Sequence, residues 1–149
     1  MRTLSLVALG IVLGVLACAT AAPEDGTGSA SMQAIVDRIA AARPPDARLS
    51  IHAPEPDGGE LRIAASTVPG RVGEASDPED LESSRTGRPV EIKEGHNLDY
   101  TVPVKDASGR TLAVVGVTIS GASGGSEADL RAKAKAVAAE AAAAIHDAR

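Results

Sequence analysis

The 149-residue chain contains no phenylalanine and no tryptophan, and Tyr100 is its only aromatic residue. Aromatic side chains carry the largest apolar area each, so the core has to be assembled from Val, Ile, Leu and Ala and is expected to be thin. Proteins that hold single-stranded nucleic acid stack its bases on aromatic rings, and one ring is too few. Positive charge is also short. Fifteen Lys and Arg face 20 Asp and Glu, a formal net charge of −5, and no basic block exists to displace the counterions of a phosphate backbone. Nucleic acid is therefore excluded as an expected partner. Cysteine occurs once, at Cys18, so no intramolecular disulfide can form. Beyond the first 21 residues no apolar run approaches the roughly 20 residues of a membrane-spanning helix.

The N-terminus has a definite order. Met1-Arg2 gives a short positive start, Leu4 to Leu16 is apolar apart from Ser5, Gly10 and Gly14, and Ala17-Cys18-Ala19-Thr20-Ala21-Ala22 is a run of small residues. This is the three-part pattern of a bacterial secretory signal, and it predicts an extracytoplasmic protein. Two processing routes are open. Ala19-Thr20-Ala21 is an A-x-A cleavage site, which makes residues 1–21 the signal. Val15-Leu16-Ala17-Cys18 is similar to a lipobox, which would end the signal at residue 17 and make Cys18 an acylated membrane tether. Residues 22–31, rich in Ala, Gly, Thr and Ser, read as a flexible linker. The remainder, 32–149, suits one domain.

Within that domain Ser31 is placed to cap a helix carrying Met32, Ile35, Val36 and Ile39 at helical spacing, ended by Pro44-Pro45. Leu49, Ile51 and Ala53 alternate with polar neighbours, as do Leu61, Ile63 and Ala65, and the Pro/Gly-rich stretch 54–59 joins them as a hairpin. Residues 67–89 show no sustained period. Inside them Asp77-Pro78-Glu79-Asp80 reads as a helix start with a cap, Pro at the first position and acids in the first turn; Gly87 would stop that helix. Val90 and Ile92, then Leu98, Tyr100, Val102 and Val104, then Thr111 to Ser120 are three further strands. In the last of them Val114, Val115, Val117 and Ile119 occupy both faces, which predicts a central position. After the connector 121–125, Ser126 and Asp129 form a capping box. It opens a final helix with Leu130, Ala134, Val137, Ala141 and Ile145 on one stripe.

Three patterns invite a chemical reading. Gly121-Ala122-Ser123-Gly124-Gly125 matches G-x-S-x-G between a strand and a helix, the place of a nucleophile elbow. Only 24 residues follow Gly125, which leaves no room for a doubly wound sheet or for the usual acid and base, so a linker is the favoured reading of Ser123 and a small serine hydrolase the remote one. His52, His96 and His146 are scattered. His96 and Asp99 make an H-x-x-D pair at a turn, but no cysteine remains to complete a site, and no metal is expected. Arg71, Arg85 and Arg88 lie in the irregular segment, where each can meet an anion or, more simply, a neighbouring Glu.

The order of these elements, together with particular stretches, resembles the extracytoplasmic Cache (PDC) sensor domains of PAS-like fold. The stretches are Ile63-Ala64-Ala65-Ser66-Thr67-Val68-Pro69-Gly70-Arg71-Val72-Gly73, Ser76-Asp77-Pro78-Glu79-Asp80-Leu81, Thr86-Gly87-Arg88-Pro89-Val90, Tyr100 to Arg110 and Val114-Val115-Gly116-Val117. The most specific is Pro103-Val104-Lys105-Asp106-Ala107-Ser108-Gly109-Arg110. The resemblance implies an α+β domain whose five-stranded antiparallel sheet has the order 2-1-5-4-3, between an N-terminal and a C-terminal helix. It also implies a small-molecule pocket between the sheet and residues 66–89. On that basis Ser66, Thr67, Arg71 and Tyr100 are the candidate binding residues. An Arg and a phenol converging on a pocket favour a carboxylate-bearing ligand. The expectation is thus an exported sensor-like module, free-standing, with no catalytic residue and no cofactor. Its partners would be a small molecule or an envelope protein. The rival is an accessory envelope protein whose pocket is filled by side chains.

Overall fold

The computed structural model describes residues 28–43, 45–55 and 58–149. Five strands, β1 (Ala47–Pro54), β2 (Leu61–Ser66), β3 (Val90–Glu94), β4 (Asn97–Lys105) and β5 (Thr111–Ile119), form one sheet in the order β2-β1-β5-β4-β3. Every neighbouring pair is antiparallel. Helices α1 (Ser29–Ala41), α2 (Pro78–Thr86) and α3 (Glu127–Asp147) complete the described fold. The α+β architecture and strand order are those expected. The central place of β5 follows from its composition, since Leu112, Ala113, Val114, Val115, Val117 and Ile119 are all buried.

The two faces of the sheet differ in kind. Strand alternation sends Leu49 and Ile51, Leu98 and Val104, and Val115, Val117 and Ile119 to one side. There they pack with Met32, Val36 and Ile39 of α1 and with Leu130, Ala134, Val137, Ala141 and Ile145 of α3. At about 25 cal/mol per Å2 of buried apolar surface, this aliphatic layer is the main source of stability. The opposite face is covered by α2 and the segment that leads to it.

α1 begins at Ser29, so it takes in the last three residues assigned to the linker, and Ser31 is not its cap. The N-cap is Gly28, without a side-chain bond, and the Ser31 hydroxyl donates back to the Gly28 carbonyl at 2.7 Å. The other two helix starts form as their sequences predict. Asp77 and Asp80 make the capping box of α2, which Gly87 ends in the left-handed region at φ 63°. Ser126 and Asp129 make that of α3. Residues 73–76, irregular in sequence, run along the outer edge of β2. The Ile63 amide donates to Glu74, Gly73 donates to Ile63 and Ser76 to Leu61, at 2.8 to 3.2 Å. This covers an edge that would otherwise stand open to another chain. Among the described residues no helix is long and apolar enough to cross a membrane. The leader, Cys18 and the linker up to residue 27 lie outside the described residues.

Candidate ligand site

The strand positions facing α2 are polar where the opposite face is aliphatic. β1 presents Arg48, Ser50 and His52, β4 presents Asp99 and Thr101, and β5 presents Gly116 and Thr118; with Asp77, Asp80 and Arg71 they line a small cavity of about 60 Å3. A water needs about 10–15 Å3 of such space, so the cavity admits a few waters or one small head group. Beside it lies an outer depression of about 440 Å3. The depression shares Arg48, Arg71, Asp77, Glu79, Asp99 and Thr118 with it and adds Pro78, Glu94 and Asn97.

Its floor is a buried polar cluster. His52, Asp80 and Thr101 are 2, 4 and 3 % exposed. The Thr101 hydroxyl donates to Asp80 Oδ1 at 3.2 Å, and the Asp77 amide donates to Asp80 Oδ2 at 3.3 Å. His52 Nε2 stands 3.4 Å from Asp80 Oδ2, and its Nδ1 lies 2.9 Å from the Ser76 hydroxyl. With Nε2 turned to a carboxylate the ring proton belongs on Nε2, so Nδ1 accepts from Ser76. Burial disfavours charge on both groups. It lowers the His52 pKa to about 4 against the pull of Asp77, and raises that of Asp80 to about 6, with the like charge of Glu79 adding to the rise. Desolvation is the largest influence on each, and it pushes both groups toward their neutral forms. At neutral pH the floor is a neutral imidazole beside a carboxylate.

Gly116 lets this floor approach the β5 backbone closely. A Cβ there would lie 3.3 Å from Asp80 Oδ1 and 3.4 Å from His52 Nε2. The carboxylate oxygens of Asp77, Glu79 and Asp80 fall within 4.8 Å of one another, a donor set of the type a hard cation uses. Ser76, His52 and Asp80 are the members of a nucleophile–base–acid triad but not its arrangement. Ser76 does not line the cavity, and His52 is held neutral as a poor base.

Of the four candidate binding residues, Arg71 alone lines the cavity. Its guanidinium is engaged by Glu74 at 2.9 Å and Asp77 at 3.2 Å, so it offers no free fork for a carboxylate. Tyr100 is on the wrong face. It neighbours Thr101 on β4, and alternation turns it toward the helical layer, where Lys135 Nζ lies 5.6 Å from the ring centre. Ser66 and Thr67 serve the backbone instead. The Ser66 hydroxyl meets that of Ser50 at 3.0 Å, its amide donates to Gln33, and the Thr67 hydroxyl accepts from the Leu49 amide. Both border a separate groove against α1. The Arg–phenol convergence that pointed to a carboxylate is therefore not formed. His96 is exposed in the β3–β4 turn while Asp99 lines the cavity, so that pair is also divided. Gly121–Ser123 form a single 3-10 turn. Among the described residues no non-glycine has positive φ, which removes the backbone strain of a nucleophile elbow at Ser123.

No family model and no curated protein matches the chain. Solved structures do. It is similar to the GAF domain of an Acinetobacter phosphoenolpyruvate-protein phosphotransferase, at 20% identity over 80% of this chain and 82% of that one, with a TM-score of 0.53. It is similar to the nlh2 GAF domain of A. aeolicus in an inactive state, at 13% over 76% and 79%, TM-score 0.58. It is also similar to a type II free methionine-R-sulfoxide reductase from Thermoplasma acidophilum, at 14% over 80% and 92%, TM-score 0.51. The Cache assignment is thereby corrected, because the neighbours are GAF domains, a different fold. The error has a physical source. The stretch Pro103 to Arg110 that weighed most is a hairpin turn, in which Asp106 accepts from the amides of Ser108 at 2.8 Å and Arg110 at 3.0 Å. Such residues specify a turn in any antiparallel sheet. At these identities the likeness establishes the fold alone, and that fold is GAF-like.

Proposed function

We propose that this chain is a small-molecule-binding module of the regulatory kind, its ligand entering from the outer depression between the sheet and residues 67–89. One observation carries the reading. A sheet face that could have been aliphatic instead buries His52, Asp80 and Thr101 around an open space, at a desolvation cost that core packing alone does not require. The GAF-like fold supports it, since a neighbouring surface of that fold is free to carry a ligand while α1 and α3 carry the core. One structural neighbour is a reductase, so the fold does not bar catalysis. Here the buried serine and the neutral imidazole favour binding over chemistry.

The test is a thermal-shift screen of small polar compounds on wild type and on Gly116→Val, whose side chain would press on Asp80 and His52 and crowd the cavity that Gly116 lines. A ligand at 100 times its dissociation constant stabilises the fold by about 2.7 kcal/mol. Hits on wild type that vanish in a folded Gly116→Val support the reading. A broad screen without hits would leave the accessory-protein alternative in its place.

A further inference from the structure

The charges around the cavity are unequal in number and in availability. Acidic groups come from three directions, with Asp77 and Glu79 at the start of α2, Asp80 beneath them and Asp99 from β4. The two positive side chains are Arg48 and Arg71. Arg71 is held by Glu74 and Asp77, and Arg48 is exposed at the rim. Among the described residues Asp80, 4 % exposed, has no Lys or Arg paired with it; its partners are the Thr101 hydroxyl, the Asp77 amide and the imidazole of His52. The nearby charges that act on it are those of Glu79 and Asp77, both of its own sign. A carboxylate buried without a counter-charge is costly, and a cation brought to it recovers that cost. Asp80 lines the cavity of about 60 Å3, which is large enough for a small head group such as an ammonium.

On the reading that the cavity binds a small molecule, we propose that the ligand is cationic: a protonated amine whose ammonium group seats over Asp80, with its body in the outer depression. The ammonium group has three donors. Asp80, Asp77, Asp99 and the Thr118 hydroxyl, which line the same cavity, are acceptors drawn from the start of α2, from β4 and from β5. A carboxylate ligand would face the same oxygens as repulsion.

The experiment measures binding by calorimetry and thermal shift. The probes are ethylammonium and 1,4-diaminobutane, compared with acetate, succinate, acetamide, Mg2+ and Ca2+. The proteins are wild type, Gly116→Val, Asp80→Asn and, should Asp80→Asn fold poorly, Glu79→Gln at the rim. The amines should bind wild type, lose at least tenfold in affinity in Asp80→Asn and several-fold in Glu79→Gln, and fail to bind Gly116→Val. Binding of acetate, succinate or acetamide that Gly116→Val abolishes and Asp80→Asn leaves intact would overturn the cationic assignment while the binding reading stands. Divalent ions binding with Asp80 dependence, and amines not at all, would replace the amine by a metal. If neither these probes nor the wider screen finds a ligand, the binding reading itself falls.

Discussion

Replacing Asp80 by Asn removes one of two buried groups that titrate in opposite directions, and this makes their opposition measurable. His52 is lowered from an ordinary 6.5 to about 4, and Asp80 raised from 3.8 to about 6. At about 1.4 kcal/mol per pH unit, each displacement is worth on the order of 3 kcal/mol. The depressed pKa of His52 contributes stability that is present above pH 6.5 and lost as pH falls through about 4. The raised pKa of Asp80 contributes stability that is present below pH 3.8 and lost as pH rises through about 6. Near pH 5 the folded protein carries its proton on Asp80 and the unfolded chain carries it on His52. The number of protons is the same, so the wild-type pair gives almost no pH dependence between about 4 and 6. In Asp80→Asn only the His52 slope remains. Urea unfolding of both proteins at intervals from pH 4 to pH 7 should therefore show the stability of Asp80→Asn, relative to wild type, rising by roughly 3 kcal/mol across that window. Taking the difference cancels the exposed carboxylates whose pKa values are lowered by neighbours, such as Glu91 beside Arg131 and Asp106 within its turn. A difference that stays constant would mean that burial does not govern these two groups. A difference that falls with pH would mean that the folded protein holds the Asp80 proton less tightly than the unfolded chain does.

Two further substitutions test the frame that holds the site. Gly121→Ala places a Cβ 2.0 Å from the backbone carbonyl oxygen of His96; the β3–β4 turn has to shift, and a loss of about 1–3 kcal/mol is expected in chemical denaturation. Gly87→Ala forces a side chain into the left-handed cap of α2 at φ 63°, costing about 1–2 kcal/mol. Because α2 carries Asp80, the same variant should weaken any ligand that depends on the cavity.

The fold was largely legible because its signals are local. Period-two alternation gave β4, the turn at Asp106 to Gly109 gave its hairpin with β5, the cap, proline and acids of Asp77 to Asp80 gave the start of α2, and the capping box of Ser126 and Asp129 gave that of α3. The candidate site was mostly illegible because it depends on which strand faces lie side by side. His52 in β1 stands opposite Val114, while Ser50 and Thr101 both stand opposite Gly116; no spacing within the chain reveals that those residues meet. The rule for choosing between Tyr100 and Thr101 was nonetheless available. Leu98, Tyr100, Val102 and Val104 share a face, so a ring on that face belongs to the core, and a cavity on the other side of β4 has to be lined by the alternate residues, Asp99 and Thr101.

α2 shows most directly why the sequence concealed the site. A helix lying on a sheet normally turns its apolar residues inward, and in Pro78–Thr86 the one large apolar residue is Leu81. The structure reverses this: Leu81 is 46% exposed, while Asp80 and Ser83 are buried against the sheet. Asp80 reads in the sequence as a first-turn acid favoured by the helix dipole, and it does occupy that place in the capping box. The same carboxylate also points down to Thr101 and His52. A helix that exposes its leucine and buries its acid gives up apolar burial and accepts the desolvation of a charge. Local consistency fails there, and in natural proteins such failures gather where function imposes its own requirement. That reversal, in a helix otherwise well specified by its cap and its terminal glycine, is what sets the α2 face of the sheet apart as the place of the candidate site.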